Sequence, residues 1–360
     1  MKRSILFLLL LSILLLSACE KTPEENLQEL PDMEWQNKFM ENYGFHPDLF
    51  YALESNEANE AFARLWLENP IDAWGSAYAK KAMTTQAMVD GETQQRLNWQ
   101  REMEESLVYI KECYPEYGAK LDEEQLLWQE AADLHPDLAM DLVCNANSYG
   151  TLALVYHAGE RCELYRERAF RLLYIEAVCK EVKKDEAHKL EIRMVVPEGM
   201  EAEPSAELAK KFENHYWAWD PTSFSTSVAD NPIDAWAKEY QGTDLGFDWY
   251  SDVLIENWKR EIEESTALIL ELYPEMKELM DKEAAAWEKG LLGQDFMGLP
   301  ETLGVKNDLH EKLALQETVA QYRRRALYLY HLEIACVELQ DISDRPTDHI
   351  PEITLILPEK

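Results

Sequence analysis

The chain has 360 residues, of which 69 are Asp or Glu and 35 are Lys or Arg, and its formal charge is −34. This acidic excess excludes nucleic acid, because the phosphates would be repelled, and it favours basic proteins or other cations as partners. An acidic surface that only keeps the protein dispersed is the alternative. Hydrophobic residues make up 46% of the sequence, which excludes a disordered chain and suffices for two domains.

The chain begins with the pattern of an export signal. Two positive residues, Lys2 and Arg3, precede an apolar run at residues 5–16. That run is too short to cross a bilayer comfortably, so we interpret it as a secretory signal and not as a membrane helix. Small residues at positions 17 and 18 then stand before Cys19.

This Leu-Ser-Ala-Cys ending resembles the lipobox of bacterial lipoproteins. The resemblance implies that the signal peptide, residues 1–18, is removed and that Cys19 is lipidated on its sulfur. Residues 19–32 would then tether the body of the protein to the extracytoplasmic side of a membrane in the bacterial cell envelope. The alternative is an ordinary cleaved signal in which Cys19 is incidental.

The sequence after the tether contains an internal duplication. The hexapeptide Asn-Pro-Ile-Asp-Ala-Trp occurs at residues 69–74 and again at residues 231–236. The pattern Asn-Trp-x-Arg-Glu-x-Glu-Glu-Ser occurs at residues 98–106 and again at residues 257–265. Since the repeated unit has about the length of a domain, the pattern indicates duplicated domains and not a solenoid.

Each unit is predicted to be mainly α, a bundle of about four helices. The first helix should begin after Asn69, which is a good N-cap, with Pro70 in the first helical position. Asp72 would face the positive end of that helix. A second helix should run from about residue 92 and end before Pro115.

Each bundle is predicted to end in a short β-strand. Residues 190–196 and 353–357 alternate apolar and polar side chains, which is typical of strands. These strands could pair with each other and lock the units together. The predicted arrangement is therefore two tandem helical domains, at residues 33–200 and 201–360.

Polar residues that recur in both units are the best candidates for a site. A spacing of four residues permits ion pairs on one helix face, and a spacing of eight brings side chains near one side. They could line a groove for a ligand, or they could tie the helices of one bundle together. The candidates are Arg101, Glu105, Arg168, Glu176, Arg260, Glu264, Arg325 and Glu333.

Trp217 and Trp219 have no counterparts in the first unit and form a candidate aromatic surface. The alternative is that they anchor the first helix of the second unit to its bundle.

No motif for catalysis, metal binding or cofactor binding is recognisable. The chain lacks a Gly-rich phosphate loop, a His-Glu-x-x-His pair and a Gly-x-Ser-x-Gly elbow. The five cysteines beyond Cys19 match no zinc spacing, and most of them are expected to be buried thiols. We therefore predict no cofactor, no metal and no enzyme activity.

A series of short elements in the first unit follows a known order. Leu-Asn at residues 97–98 is followed by Gln125 and Trp128, and then by Tyr165 and Arg168. This order resembles the LprI-like family of bacterial lipoproteins, over roughly residues 90–180 and more faintly at 250–337. The resemblance implies a short helical domain, and a member of the family inhibits lysozyme.

Three functions follow from the sequence. The first is a surface-anchored lipoprotein that binds a basic protein partner, with lysozyme inhibition among the candidate activities. The second is a non-catalytic scaffold or adaptor of the cell envelope. The third, ranked last, is an enzyme acting on cell-wall material, for which Glu176 and Glu333 would be the best carboxylates.

Overall fold

Eight helices make up most of the described chain, which confirms the prediction of a mainly α fold. The computed structural model describes residues 62, 65, 68–144, 152–202, 231–240, 247–292, 308–342 and 352–358, all within one compact unit. The first half contains α1 Pro70–Ala79, α2 Thr85–Cys113, α3 Gly118–Ala139 and α4 Leu152–Lys183. The second half contains α5 Pro232–Tyr240, α6 Phe247–Leu272, α7 Lys277–Trp287 and α8 Asp308–Ile342.

The duplication extends to irregular elements. A single turn of 3₁₀ helix, Pro115–Tyr117, precedes α3, and Pro274–Met276 precedes α7 in the same way. A π-helical turn follows each of these helices, at Met140–Cys144 and Glu288–Leu292. The two halves therefore share backbone detail as well as sequence.

Local signals in the sequence set the helix boundaries. The Asn69 side chain accepts a hydrogen bond of 2.8 Å from the Asp72 N–H, and Pro70 occupies the first helical position, as predicted. The matching Asn231 does the same at 2.9 Å. Helix α2 ends at Cys113, two residues before Pro115, because the residue preceding a proline avoids helical geometry.

Tryptophans form the centre of each bundle. Trp74, Trp99 and Trp128 are almost completely buried in the first half. Their counterparts in the second half are buried as well: Trp236, Trp258 and Trp287. Burying large aromatic surfaces contributes strongly to stability, so these side chains fix how α1, α2 and α3, and then α5, α6 and α7, pack.

The two halves share an apolar cluster. Leu138 of α3 and Leu142 of the following π-helical turn pack with Ile269 of α6, Met280 of α7 and Leu329 of α8. Nearby, the backbone of Gly290 in the second half lies close to that of Leu127 in the first. This approach requires a glycine, because a Cβ atom placed on Gly290 would lie 2.2 Å from the carbonyl oxygen of Leu127. The predicted division into two domains stays a prediction.

The terminal segments differ from the prediction. The described residues contain no β-strand, so the short strands expected at residues 190–196 and 353–357 are not confirmed. Ile192 and Ile353 do point into the core, as the alternation of the sequence requires. The possible pairing between the segments is not confirmed either, since in the described part of the chain Val195 and Ile356 bond through their backbone to the side chains of Asn98 and Asn257.

Four of the cysteines, Cys113, Cys162, Cys179 and Cys336, are free thiols, and the last three are buried. Burial raises the pKa of Cys179 and of Cys336 to about 12, so these side chains behave as small apolar groups. None of the described helices is long and apolar enough to cross a membrane.

Candidate functional site

An asparagine of α2 holds the terminal segment of the first half. The Asn98 amide nitrogen donates to the carbonyl oxygen of Val195 at 3.2 Å, and its Oδ1 accepts from the Val195 N–H at 2.7 Å. The buried Asn98 side chain thus satisfies both backbone groups of one residue, as a neighbouring strand would do.

The next turn of α2 continues this pattern. Glu102 Oε1 accepts from the Arg193 N–H at 3.1 Å, and the Arg101 guanidinium donates to the Arg193 carbonyl oxygen. Arg101 also donates to Glu102 at 2.6 Å and to Asn98 Oδ1 at 2.8 Å. Burial raises the pKa of Glu102, although the hydrogen bonds from Arg101 and from the Arg193 N–H oppose this.

The second half repeats the arrangement. Asn257 bonds both backbone groups of Ile356, at 2.9 and 2.8 Å, and Glu261 accepts from the Thr354 N–H at 3.2 Å. Arg260 donates to the Thr354 carbonyl oxygen. We name each set an Asn-Arg-Glu clamp: Asn98, Arg101 and Glu102 in the first half, and Asn257, Arg260 and Glu261 in the second.

Two of the predicted residue pairs lie beside these clamps. Arg101 Nε is 3.6 Å from Glu105 Oε1, and Arg260 Nε is 3.5 Å from Glu264 Oε1. Both carboxylates are largely exposed, so each pair contributes little to stability. The arginines have a second role that spacing alone did not indicate, since they hold the terminal segments.

The structure does not bring Arg168 and Glu176 together. Arg168 Nε donates to Gln125 Oε1 at 3.2 Å, and its guanidinium lies 5.6 Å from the centre of the Trp128 ring. Burial lowers the pKa of Arg168 to about 9. Glu176 Oε1 lies 2.6 Å from Nε2 of His188.

Arg325 and Glu333 are also apart. Both Nη atoms of Arg325 donate to the Glu283 carboxylate, and the guanidinium lies 5.4 Å from the centre of the Trp287 ring. Glu333 Oε2 accepts a hydrogen bond of 2.6 Å from the Ser265 hydroxyl. These contacts join α8 to α7 and to α6.

The network around Arg325 crosses between the two halves. His135 of α3 lies with Nδ1 3.0 Å from Glu283 Oε1, and the Tyr328 hydroxyl donates to the His135 carbonyl oxygen at 2.6 Å. Burial lowers the pKa of His135, so the neutral ring donates through Nδ1. Burial would raise the pKa of Glu283, but the Arg325 guanidinium outweighs it and holds this pKa at about 2.

A repeated interhelical ion pair was not predicted from the sequence. Arg166 Nε donates to Asp72 at 2.9 Å, and the Arg323 Nη2 atom donates to Asp234 at 2.7 Å. These pairs join α4 to α1 and α8 to α5. The signal was available, because Tyr-Arg recurs at residues 165–166 and 322–323 beside the predicted arginines.

A groove of about 390 Å³ opens in the first half between α2, α4 and residues 187–193. Four carboxylates line the groove, whereas only two of its side chains, Lys189 and Arg193, are permanently positive at neutral pH. The His188 ring stacks on Tyr109, with ring centres 3.6 Å apart. The carboxylates are Glu102, Glu105, Glu176 and Glu191, and the Ser106 hydroxyl also lines the groove.

The predicted lipidation site Cys19 and the candidate aromatic residues Trp217 and Trp219 lie outside the described residues. Within the described part of the chain, no group of three or more His, Cys, Asp or Glu side chains is arranged to hold a metal ion. No family model, curated protein or solved structure matches the chain.

Proposed function

We propose that this protein is a bacterial cell-envelope lipoprotein, anchored through lipidated Cys19, that binds a basic protein partner. A lysozyme is the expected target, in keeping with the LprI-like resemblance of the sequence. The protein would carry two related helical domains, at residues 33–200 and 201–360. The repeated helix order and the repeated Asn-Arg-Glu clamps support that division.

The observation that carries the proposal is the charge. The formal charge is −34, and removal of Lys2 and Arg3 with the signal leaves −36. Part of this charge lies on the described surface, where acidic side chains are exposed along α2, α3, α6 and α7, among them Glu104, Asp122 and Glu263. Such a surface accelerates encounter with a basic protein and repels acidic ones.

Binding to a lysozyme at two salt concentrations tests the proposal. The full chain, held in a neutral detergent, is titrated with a basic animal lysozyme at about 10 mM and about 150 mM salt, where the Debye length falls from about 30 to about 8 Å. We expect saturable binding that weakens as salt is added, together with loss of lytic activity. Lysozyme with its lysines succinylated is the control and should not bind.

Absence of lysozyme binding at both salt concentrations would contradict the proposal. Binding with the same affinity at both concentrations would contradict the argument from charge. The second candidate is then a non-catalytic envelope scaffold. The internal duplication favours it, because two linked binding sites raise avidity without new contacts.

A further inference from the structure

The groove of the first half contains a buried hydroxyl without a partner. Ser106 is 1% exposed, and its Oγ has no hydrogen-bond partner among the described residues. Leaving a buried polar group without a hydrogen bond is unfavourable, so native structures rarely keep one without a reason. Because Ser106 lines the groove, a ligand in the groove could supply the missing partner.

In the second half, the corresponding serine hydroxyl does have a hydrogen-bond partner. Ser265 stands at the position of Ser106 in the repeat, and its hydroxyl donates to Glu333 at 2.6 Å. In the first half the matching carboxylate, Glu176, bonds instead to His188 at 2.6 Å. The serine–glutamate hydrogen bond of the second half is therefore absent from the first.

The aromatic ring of Tyr109, which the second half lacks, holds His188 in place. The imidazole stacks on Tyr109, whereas the repeat places Leu268 at the corresponding position of α6. The Tyr109 hydroxyl in turn donates to Asp185 at 3.2 Å, at the start of the segment that carries His188. These contacts keep Glu176 directed to His188 and away from Ser106.

The charges of the groove select a cation. Glu176 is buried and Glu191 is exposed, whereas Arg193 is already bound to Glu105. A lysine ammonium group has three donors and no acceptor, which suits a hydroxyl oxygen beside carboxylates. An anionic ligand would meet more negative than positive side chains there, since four carboxylates line the groove against Lys189 and Arg193.

We propose that this groove binds a lysine side chain of the basic partner, with the ammonium group between the Ser106 hydroxyl and the Glu176 carboxylate. The inference rests on the proposed function, since it names the group by which a basic protein is held. The volume of about 390 Å³ is ample for one side chain.

Two conservative variants of the full chain test the site. Ser106→Ala removes the unpartnered hydroxyl, and Glu176→Gln removes the charge while keeping the shape. The probe is the peptide acetyl-Gly-Lys-Gly-amide, measured by calorimetry at low salt. We expect each variant to bind the peptide at least fivefold more weakly than the wild type. Ser265→Ala, the matched change in the second half, should leave binding unchanged.

Two further probes identify the recognised group. The same peptide with an acetylated lysine side chain should not bind, because the positive charge is gone. An arginine peptide that binds as tightly as the lysine peptide would overturn the assignment to an ammonium group. Ser106→Ala should also leave the thermal midpoint unchanged or raised, so weaker binding cannot be attributed to unfolding.

Lysozyme binding separates failure of the site from failure of the function. If both variants bind lysozyme as tightly as the wild type, the site is overturned and the proposed function stands. If the wild type binds the lysine peptide but no lysozyme, the site stands and the proposed function fails. A wild type that binds neither overturns both.

Discussion

Arg168 and Arg325 occupy matching positions of α4 and α8, and each guanidinium lies over a buried tryptophan ring. Arg168 is bonded to the neutral amide of Gln125, whereas Arg325 is bonded to the buried carboxylate of Glu283. Removing one member of a buried ion pair is costly, because the other charge is left in a medium of low dielectric constant. Loss of the Glu283 carboxylate should therefore be costly in the second half.

Glu283→Gln should destabilise the protein by about 3–5 kcal/mol, because Arg325 loses its counter-ion in the core. Asp281→Asn is the control on the same helix, since Asp281 is exposed and its carboxylate lies 2.7 Å from the ammonium group of the equally exposed Lys277. It should cost no more than about 1 kcal/mol. Urea unfolding measures both. Equal losses would show that the ion pair of Glu283 contributes no more than a surface contact.

The contribution of Glu283 should depend on pH. Its pKa is about 2 in the folded state and 4.5 for an unperturbed group. A depressed folded pKa stabilises the protein above the unfolded pKa, and the stabilisation is lost as pH falls from 4.5 towards 2. The difference in unfolding free energy between wild type and Glu283→Gln should therefore shrink over this range. A difference that stays constant from pH 6 to pH 2.5 would be inconsistent with an ionised Glu283.

At the scale of the elements, the Asn-Arg-Glu clamps replace a strand partner. The period-two pattern of residues 190–196 correctly predicted that Ile192 faces inward. It could not show that the hydrogen-bonding partner is a helix, because Asn98 is 97 residues from Val195 in the chain. Helix starts, by contrast, depend on neighbours such as Asn69 and Pro70, so local sequence sufficed to place them.

Asn98→Ala should release the terminal segment of the first half. Both backbone groups of Val195 lose their partner, so we expect a loss of about 1–3 kcal/mol and faster amide hydrogen exchange at Val195. Asn257→Ala should do the same at Ile356. Gln100→Ala, whose contacts on α2 are with surface side chains, should leave that exchange unchanged. Unaltered exchange at Val195 in the Asn98 variant would rule out the clamp as its main protection.

At the scale of the whole molecule, the contact between the two halves depends on Gly290, which has no side chain. Gly290→Ala would place a Cβ atom 2.2 Å from the Leu127 carbonyl oxygen and 2.8 Å from the Ala131 Cβ. We expect a loss of about 1–3 kcal/mol from overpacking. Gly159→Ala is the control, because nothing lies within 4 Å of its added Cβ in α4, and it should stabilise by up to about 1 kcal/mol. Equal effects of the two changes in urea unfolding would contradict the close contact.

The site was less predictable than the fold. The duplication revealed which polar residues recur, and all eight candidates within the described chain do form contacts between side chains or with the terminal segments. Their partners were hidden, because Glu283 and Gln125 lie on other helices and no spacing rule connects them. The groove was hidden too, since Ser106 looks like any other repeated residue until Ser265 is seen with a partner.

The close contact between Gly290 and Ala131 bears on how the duplicated chain could have arisen. The repeat places these two residues at equivalent positions, Gly290 in the π-helical turn after α7 and Ala131 in α3, so each half presents the same face to the other. Such self-matching contacts are typical of two-fold homodimers. Fusion of two copies of such a dimer would make their association independent of protein concentration, and it would allow the two copies to diverge in sequence. One could then keep a closed serine–glutamate pair while the other opened a groove.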